Sequence, residues 1–409
     1  MLDIKFIREN PELVAKKSAE KDIKVDVKKL LEVDKIRLDL IQRVDALREK
    51  RNQVAEKMKG GKPDPSLVNE GKQIKLELAS EEDLLKKAKQ EFDDLLDDIP
   101  NMHADDTPIG GEENNQVIKV VGSAEKKEGV VDHLTWLEQR GFVDFERGAK
   151  VAGSKFFYSI GDLAKMELAL TQFAVAEVEK HGFTPMIVPN LVNSRAIKGT
   201  GFAPKGEEKQ IYKVEGEDLN LIATAEIPLT AYFADEIIDI DRLPICYVGY
   251  SPCYRVEGGA YGKHNKGIFR VHQFYKVEMY VFCAPEQSEQ MHAKILEIEE
   301  SIIAKLGIPY RVVNIASGDL GGPAYKKYDI EYFSPLDGRY RELTSCSNVT
   351  DYQARRMNIR YRDKDGQIKF LHTLNGTAMV TSRMPIAIIE NSQDKNGNLN
   401  LPDVLKQTE

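Results

Sequence analysis

Three stretches of this 409-residue sequence collect side chains suited to holding a nucleotide and an amine. The first runs from Tyr254 to Phe282, two strand-like halves around the glycine-rich loop GGAYGKHNKG. Arg255 and Glu257 stand two apart before the loop, and Arg270, His272, Phe274, Lys276 and Glu278 alternate after it. In an extended strand such spacing puts each set on one face. A guanidinium grips phosphate, a carboxylate accepts from an amine, and an aromatic ring stacks on a base. The second stretch is RELTSCSN, Arg341 to Asn348, where Glu342 is the lone carboxylate of a hydroxyl-rich strand. The third is TLNGTAMVTSRMPIAIIEN, Thr373 to Asn391: a strand ends in Asn375-Gly376-Thr377, and Arg383 opens an apolar helix reaching Ile389. On spacing alone, each stretch is also readable as ordinary structure: hairpin salt bridges, a partly buried strand, and a strand–turn–helix. His272 reads as structural.

A sheet must position these side chains. Strand-like runs are Val117–Val121, Met186–Val188, Ile245–Gly249, Phe269–Phe282, Tyr310–Asn314, Tyr328–Phe333, Tyr340–Thr344 and Phe370–Leu374, and Asp162–Lys180 has helical spacing. Several strands follow one another with no helix between them. This predicts an α+β fold with a mainly antiparallel sheet, not strict βαβ alternation. Neither GxGxxG nor GxxxxGK[ST] occurs, so any ATP must sit on another scaffold.

The first hundred residues have a different period. Val33, Leu40, Leu47 and Val54 are seven apart, and Leu30, Val44 and Met58 share a second comb with Arg37 and Arg51. After KGGKPDPS, which breaks any helix, Leu78, Leu85, Phe92 and Ile99 form one comb and Leu67, Ile74, Ala88 and Leu95 another, ending at Pro100. The spacing predicts two long helices folded back as an antiparallel hairpin over about 27–99, with Ser66 capping the second. At 1.5 Å per residue such an arm is roughly 50 Å long. Its first helix carries ten basic and six acidic residues, its second five and ten, with the acids gathered near the end. The tip half is therefore basic: Arg43, Arg48, Lys50, Arg51, Lys57, Lys59, Lys62, Lys72 and Lys75. That surface fits either intra-hairpin ion pairs or contact with a phosphate backbone.

The whole chain has 58 basic and 66 acidic side chains, a net charge of −8, and 42% apolar residues. This suits a folded protein of two domains and argues against wholesale disorder. No apolar run approaches the ~20 residues of a membrane span. The charged opening MLDIKFIRENPELV does not read as a signal peptide, so a cytoplasmic protein is expected. Cys246, Cys253, Cys283 and Cys346 form no CxxC pair, so neither disulfides nor zinc are expected.

Taken together, the three stretches resemble the signature motifs of class II aminoacyl-tRNA synthetases, and among these the seryl-tRNA synthetases. The opening MLDIKFIRENPELV, the hairpin, HGFTPMIVPNLVN, LIATAEIPLTAYFADEII and YRELTSCSNVTDYQARRMNIRYR follow in that family's order. The resemblance implies a helical-arm domain over 1–105 that binds tRNA and a catalytic domain over 106–409 with six to seven antiparallel strands flanked by helices. It also implies a homodimer joined near Pro189, with no membrane attachment. The implied reaction ligates L-serine to tRNA(Ser) through a seryl-adenylate, with tRNA(Sec) a second acceptor. Thr224, Ala225, Glu226, Glu278, Asn375 and Thr377 would take the serine, with Arg255 shared between serine and ATP. Val256, Glu257, Val271, Phe274, Leu343, Thr344 and Arg383 would hold ATP, Phe274 and Arg383 sandwiching the adenine. Glu342 and Ser345 would bind Mg²⁺, and Arg255 and Arg383 would be the catalytic cations. On the arm, Arg43, Arg48, Lys50, Arg51, Lys57, Lys62, Lys72 and Lys75 would touch tRNA. Two other readings are a synthetase-like regulator that has lost catalysis and a ligase that loads a carrier protein. The retained Arg255, Glu278, Glu342 and Arg383 weigh against the first, and the complete hairpin against the second.

Overall fold

The computed structural model describes residues 1–59, 64–201, 211–257 and 267–406. They form two compact units, Met1–Met102 and His103–Glu409. Lys62 and most of the GGAYGKHNKG loop lie outside the described residues.

In the first unit two short helices precede a long pair, α1 (Val27–Lys57) and α2 (Pro65–Asp97). Asp26 caps α1, its carboxylate accepting from the Lys29 N–H at 2.8 Å. The cap of α2 is not Ser66, as expected, but Asp64, which accepts from the Ser66 N–H at 2.9 Å. Pro65 is the first helical residue, where its fixed φ helps and its missing N–H costs nothing. Leu30, Val33, Leu40, Val44 and Val54 of α1 are buried with Ile74, Leu78, Leu85, Phe92 and Leu96 of α2. Each such side chain contributes roughly 1.5–3 kcal/mol when taken out of water. Leu96 is buried where the spacing pointed to Leu95. Lys29 pairs with Glu91 at 3.1 Å, whereas Arg43 and Arg48, further along α1, pair with Glu81 and Glu82, earlier in α2, at 3.2 and 2.8 Å, so the helices are antiparallel. At the base, Asp34 is only 2% exposed and binds Arg8 and Arg37, each at 2.6 Å.

The second unit is built on an eight-stranded sheet. Its strands are β1 (Gln116–Val121), β2 (Thr184–Ile187), β3 (Ile245–Tyr254), β4 (Gln273–Cys283), β5 (Tyr310–Asn314), β6 (Lys326–Ser334), β7 (Arg339–Thr350) and β8 (His372–Val380). Their order is β1-β5-β6-β7-β8-β4-β3-β2, antiparallel throughout except β2 with β3. That is one strand more than expected. The helices that serve the site are α3 (Asp162–Glu179), α4 (Ser194–Thr200), α5 (Glu226–Ala231), α6 (Ser288–Lys305), α7 (Tyr352–Met357) and α8 (Met384–Ser392).

Period two decides what each strand offers. Val277, Met279 and Val281 of β4 join the main core with Leu163, Leu170, Ile295 and Ile302 of α3 and α6. Tyr280 and Phe282 join a second cluster with Ile227 and Leu229 of α5 and Ala354 and Met357 of α7. Glu278 belongs to this second face.

The strands differ from the sequence reading mainly in extent. β3 continues through Ser251 and Cys253 to Tyr254, because pairing with β4 holds residues whose own strand preference is weak. The stretch expected over Phe370–Leu374 is divided. Ile368–Phe370 pairs with Arg360–Arg362 in a separate small sheet, and β8 runs past Thr377 to Val380. No helix among the described residues is long and apolar enough to cross a membrane.

Candidate active site

Local chain geometry builds the site from the sheet upward. Gly249 on β3 pairs with Glu278 on β4. A Cβ there would stand 2.9 Å from Leu229 and 3.0 Å from Ala225, so glycine lets the start of α5 settle onto the sheet beside Glu278. The TAE stretch closes that helix end, since the Thr224 hydroxyl accepts from the Glu226 N–H at 3.2 Å. Ala225 is fully buried below it.

Glu278 is 0% exposed and has a full set of partners. Its Oε1 accepts from Asn375 Nδ2 at 3.1 Å, and its Oε2 accepts from Thr377 Oγ1 at 3.2 Å and Lys276 Nζ at 2.5 Å. Asn375, Thr377 and Glu278 thus meet across the β8–β4 ladder, in which Thr377 faces Glu278. Lys276, to which the sequence assigned no role, supplies the compensating charge. Glu226 faces the same region. Its Oε1 accepts from Gln353 Nε2 at 2.7 Å. Burial, then the nearby Glu278 charge, push its carboxyl up to about 7. Two carboxylates this close call for a cation.

A cleft of about 180 Å³ adjoins this cluster of side chains, and Lys276 and Thr377 line it. Its wall also holds Arg255, Glu257, Val271, Phe274, Arg383 and the run Glu342–Ser345. Val256 is not part of that wall. Nor are Thr224, Ala225, Glu226, Glu278 and Asn375, of which Glu278 bonds to the lining residues Lys276 and Thr377. Arg255 and Glu257 do not share a strand face, because β3 ends at Tyr254 and Glu257 takes a left-handed φ of 47°. Likewise Arg270 and His272 precede β4 rather than lying on it. The loop conformation nevertheless gathers their side chains. Arg270 pairs with Glu257 at 3.3 Å, and the His272 ring contacts the Arg255 carbonyl at 2.9 Å.

Two arginines lie over aromatic rings in the cleft. The Arg255 guanidinium lies 5.1 Å over the Phe274 ring, while Arg383 lies 5.2 Å over Phe269. Arg383 binds Glu342 at 2.6 Å. Burial opposes ionisation of Glu342, but Arg383, Lys327 and Arg255 outweigh it and hold the carboxyl at about 2. Ser345 pairs with Asp329 across β7 and β6, and one carboxylate oxygen of buried Asp329 makes no hydrogen bond. Glu342 and Ser345 supply hard oxygen donors. No group of three or more His, Cys, Asp or Glu able to hold a metal occurs among the described residues.

Gln353, Lys276 and Phe269 are the residues that sequence reasoning passed over. Gln353 stood in the quoted TDYQARR stretch, but nothing in its local spacing pointed to Glu226, 127 residues away. On the arm, Arg43 and Arg48 bridge to Glu81 and Glu82 and remain about half exposed. Lys50, Arg51, Lys57, Lys72 and Lys75 are exposed.

Comparison with known proteins gives a consistent result. The seryl-tRNA synthetase N-terminal domain matches residues 1–103, and the class II tRNA synthetase core domain shared by the G, H, P, S and T enzymes matches 211–392. A serine–tRNA ligase of Treponema denticola is 42% identical over 412 residues, covering 99% of this chain and 98% of the relative. One from Borrelia garinii subsp. bavariensis is 44% identical over 413 residues, covering 99% and 97%. Among solved structures, seryl-tRNA synthetase from Pyrococcus horikoshii complexed with ATP superposes with a TM-score of 0.89 at 40% identity, covering 100% of this chain and 98% of that one. The cytoplasmic enzyme of Naegleria fowleri in complex with AMP gives 0.84 at 32%, covering 100% and 96%. With both domains matched and the likeness running the length of the chain, this protein belongs to the seryl-tRNA synthetases, the serine–tRNA ligases of class II.

Proposed function

We propose that the chain activates L-serine with ATP and transfers it to the terminal ribose of tRNA(Ser), with tRNA(Sec) a second acceptor of the same chemistry. The observation that carries this reading is the pair of neighbouring carboxyls Glu226 and Glu278 beside a polar cleft that Lys276 and Thr377 line. The ammonium of an amino acid relieves their repulsion, and Glu226, with Thr224 and Ala225 beside it, takes that ammonium. Glu278 accepts from the serine hydroxyl, while Asn375 and Thr377 hold Glu278 in place. An alanine side chain there leaves buried polar groups unmatched, a penalty of about 1–3 kcal/mol per group.

Arg255 binds both the serine carboxylate and the α-phosphate, drawing together the groups that react. Glu257 and the Val271 backbone receive the adenine, Phe274 and Arg383 stack on it, Leu343 and Thr344 shape the surrounding wall, and Val256 offers its backbone to the nucleotide from beside it. A carboxylate oxygen of serine attacks the α-phosphorus, and the bond to the β-phosphate oxygen breaks, releasing pyrophosphate. A ribose hydroxyl of the tRNA then attacks the acyl carbon, and AMP leaves with the bonding pair. Positioning and charge neutralisation account for both steps without a covalent enzyme intermediate.

Glu342, kept ionised, and Ser345 have the oxygen chemistry that would hold Mg²⁺, which would supply positive charge against the phosphates. The arm over 1–105 grips the tRNA through Lys50, Arg51, Lys57, Lys72 and Lys75, with Arg43, Arg48 and Lys62 nearby in sequence, while 106–409 performs the chemistry. The edge strand β2, whose Ile187 is 90% exposed, supports a homodimer joined on that side. The enzyme works in the cytoplasm, where charged tRNA is consumed. The test is charging of total tRNA with each of the twenty amino acids. Serine alone should be incorporated, and equal incorporation of alanine or threonine would overturn the assignment.

A further inference from the structure

We propose that Gln353 is a positioning residue for amino-acid recognition, fixing the Glu226 carboxylate in place with a hydrogen bond of one obligatory sense. The inference rests on the reading of Glu226 as the ammonium ligand and adds a residue to it.

The amide of Gln353 is 0% exposed and sits where five elements meet. Its Nε2 donates to Glu226 Oε1 of α5 at 2.7 Å and to the Thr200 carbonyl at the end of α4 at 3.2 Å. Its Oε1 accepts from the Tyr280 hydroxyl of β4 at 2.9 Å and from Thr373 Oγ1 of β8 at 2.8 Å. All the hydrogen-bonding capacity of one amide is therefore in use. The Thr200 carbonyl can only accept, so it decides which way the amide faces. With the nitrogen turned to Thr200, its other N–H must point at Glu226. The Thr230 hydroxyl, 2.8 Å from both the Tyr280 hydroxyl and the Glu226 carbonyl, ties the network back to α5.

A donor aimed at a carboxylate does two things. It holds the group in one rotamer, and it favours the ionised form that binds an ammonium. The groups acting on Glu226 are Glu278 and Lys276 of β4, Arg255 at the end of β3, and Gln353 of α7. Burial and Glu278 raise the Glu226 carboxyl to about 7, while Gln353, Lys276 and Arg255 oppose the rise. Without the amide, Glu226 should stay protonated to a higher pH, and serine should bind correspondingly less well there.

The test compares the full-length protein with Gln353→Met and Gln353→Glu in serine-dependent ATP–pyrophosphate exchange, from about pH 6 to about pH 9. Gln353→Glu keeps the acceptor for Tyr280 and Thr373 and, once ionised, has no donor for Glu226, so its upper pH range serves if Gln353→Met does not fold. Expected is a ten- to hundredfold rise in KM for serine, roughly the size of one hydrogen bond to a charged group. KM for ATP should stay within about twofold, since Gln353 makes no contact with the phosphate side of the cleft. The pH below which KM for serine climbs should move up from its value in the parent. An unmoved pH profile, or equal losses for serine and ATP with a lowered Tm, makes Gln353 a structural amide and overturns the inference. A parent with no serine-dependent exchange overturns the functional reading itself, whereas an active parent matched by both variants sinks only the role of Gln353.

Discussion

The arm and the catalytic pocket are both held by side chains distant in sequence, yet they encode that fact differently. In the arm a single repeat suffices. Leu40 and Val44 meet Leu78 and Leu85 because each helix has one apolar seam and a short connection turns one onto the other. In the pocket no repeat operates. Glu278 meets Asn375 and Thr377 across 97 and 99 residues, and Glu226 meets Gln353 across 127. The comparison teaches that a chain can separate reach from chemistry. Periodic sequence makes a rod that tolerates change along its surface, whereas aperiodic sequence makes a pocket in which each residue has its own partner.

If that division is right, single substitutions should be severe in the pocket and mild on the arm. The largest effect is expected from Arg255→Ala, which removes the cation proposed to bridge the serine carboxylate and the α-phosphate. Serine-dependent pyrophosphate exchange should fall by roughly 10²–10³-fold with Tm little changed. A loss below about tenfold would mean that another cation does this work. Next comes Glu278→Ala. It should cut serine activation and shrink the preference for serine over alanine by about ten- to hundredfold while ATP binding persists. Undiminished serine selectivity would remove Glu278 from the hydroxyl pocket. The smallest effect belongs to the arm. Lys57→Ala with Lys75→Ala should leave exchange unaltered and lower the log–log salt slope of tRNA binding by roughly 0.7–0.9 for each phosphate no longer neutralised. An unchanged slope would place both lysines off the tRNA.

The same division explains what could be read from the sequence. Hairpin, turn and antiparallel pairing followed from the heptad combs, and the strand-rich second unit followed from alternation. The cap of the second arm helix was misread because Pro65 looks like a breaker, although at the first helical position it is a starter. Arg255 and Glu257 both line the cleft, but the reason given for grouping them, a shared strand face, fails. The strand ends at Tyr254, and a left-handed Glu257 brings its side chain back towards Arg270. Lys276 was visible as one of an alternating set, yet only the folded ladder shows that its ammonium meets Glu278. Gln353 was beyond reach, since an amide pinned by Thr200, Glu226, Tyr280 and Thr373 needs all four in place before its orientation means anything.

The most direct test of the account replaces residues 30–96 with a short linker and follows two reactions in the same preparation. Serine-dependent pyrophosphate exchange needs only the pocket and should proceed at nearly the parent rate. Charging of tRNA(Ser) needs the arm as well and should fall sharply, with a flatter salt dependence of tRNA binding. Full charging by the armless protein, with the salt slope unchanged, would contradict the separation of reach from chemistry and leave the hairpin a structural strut.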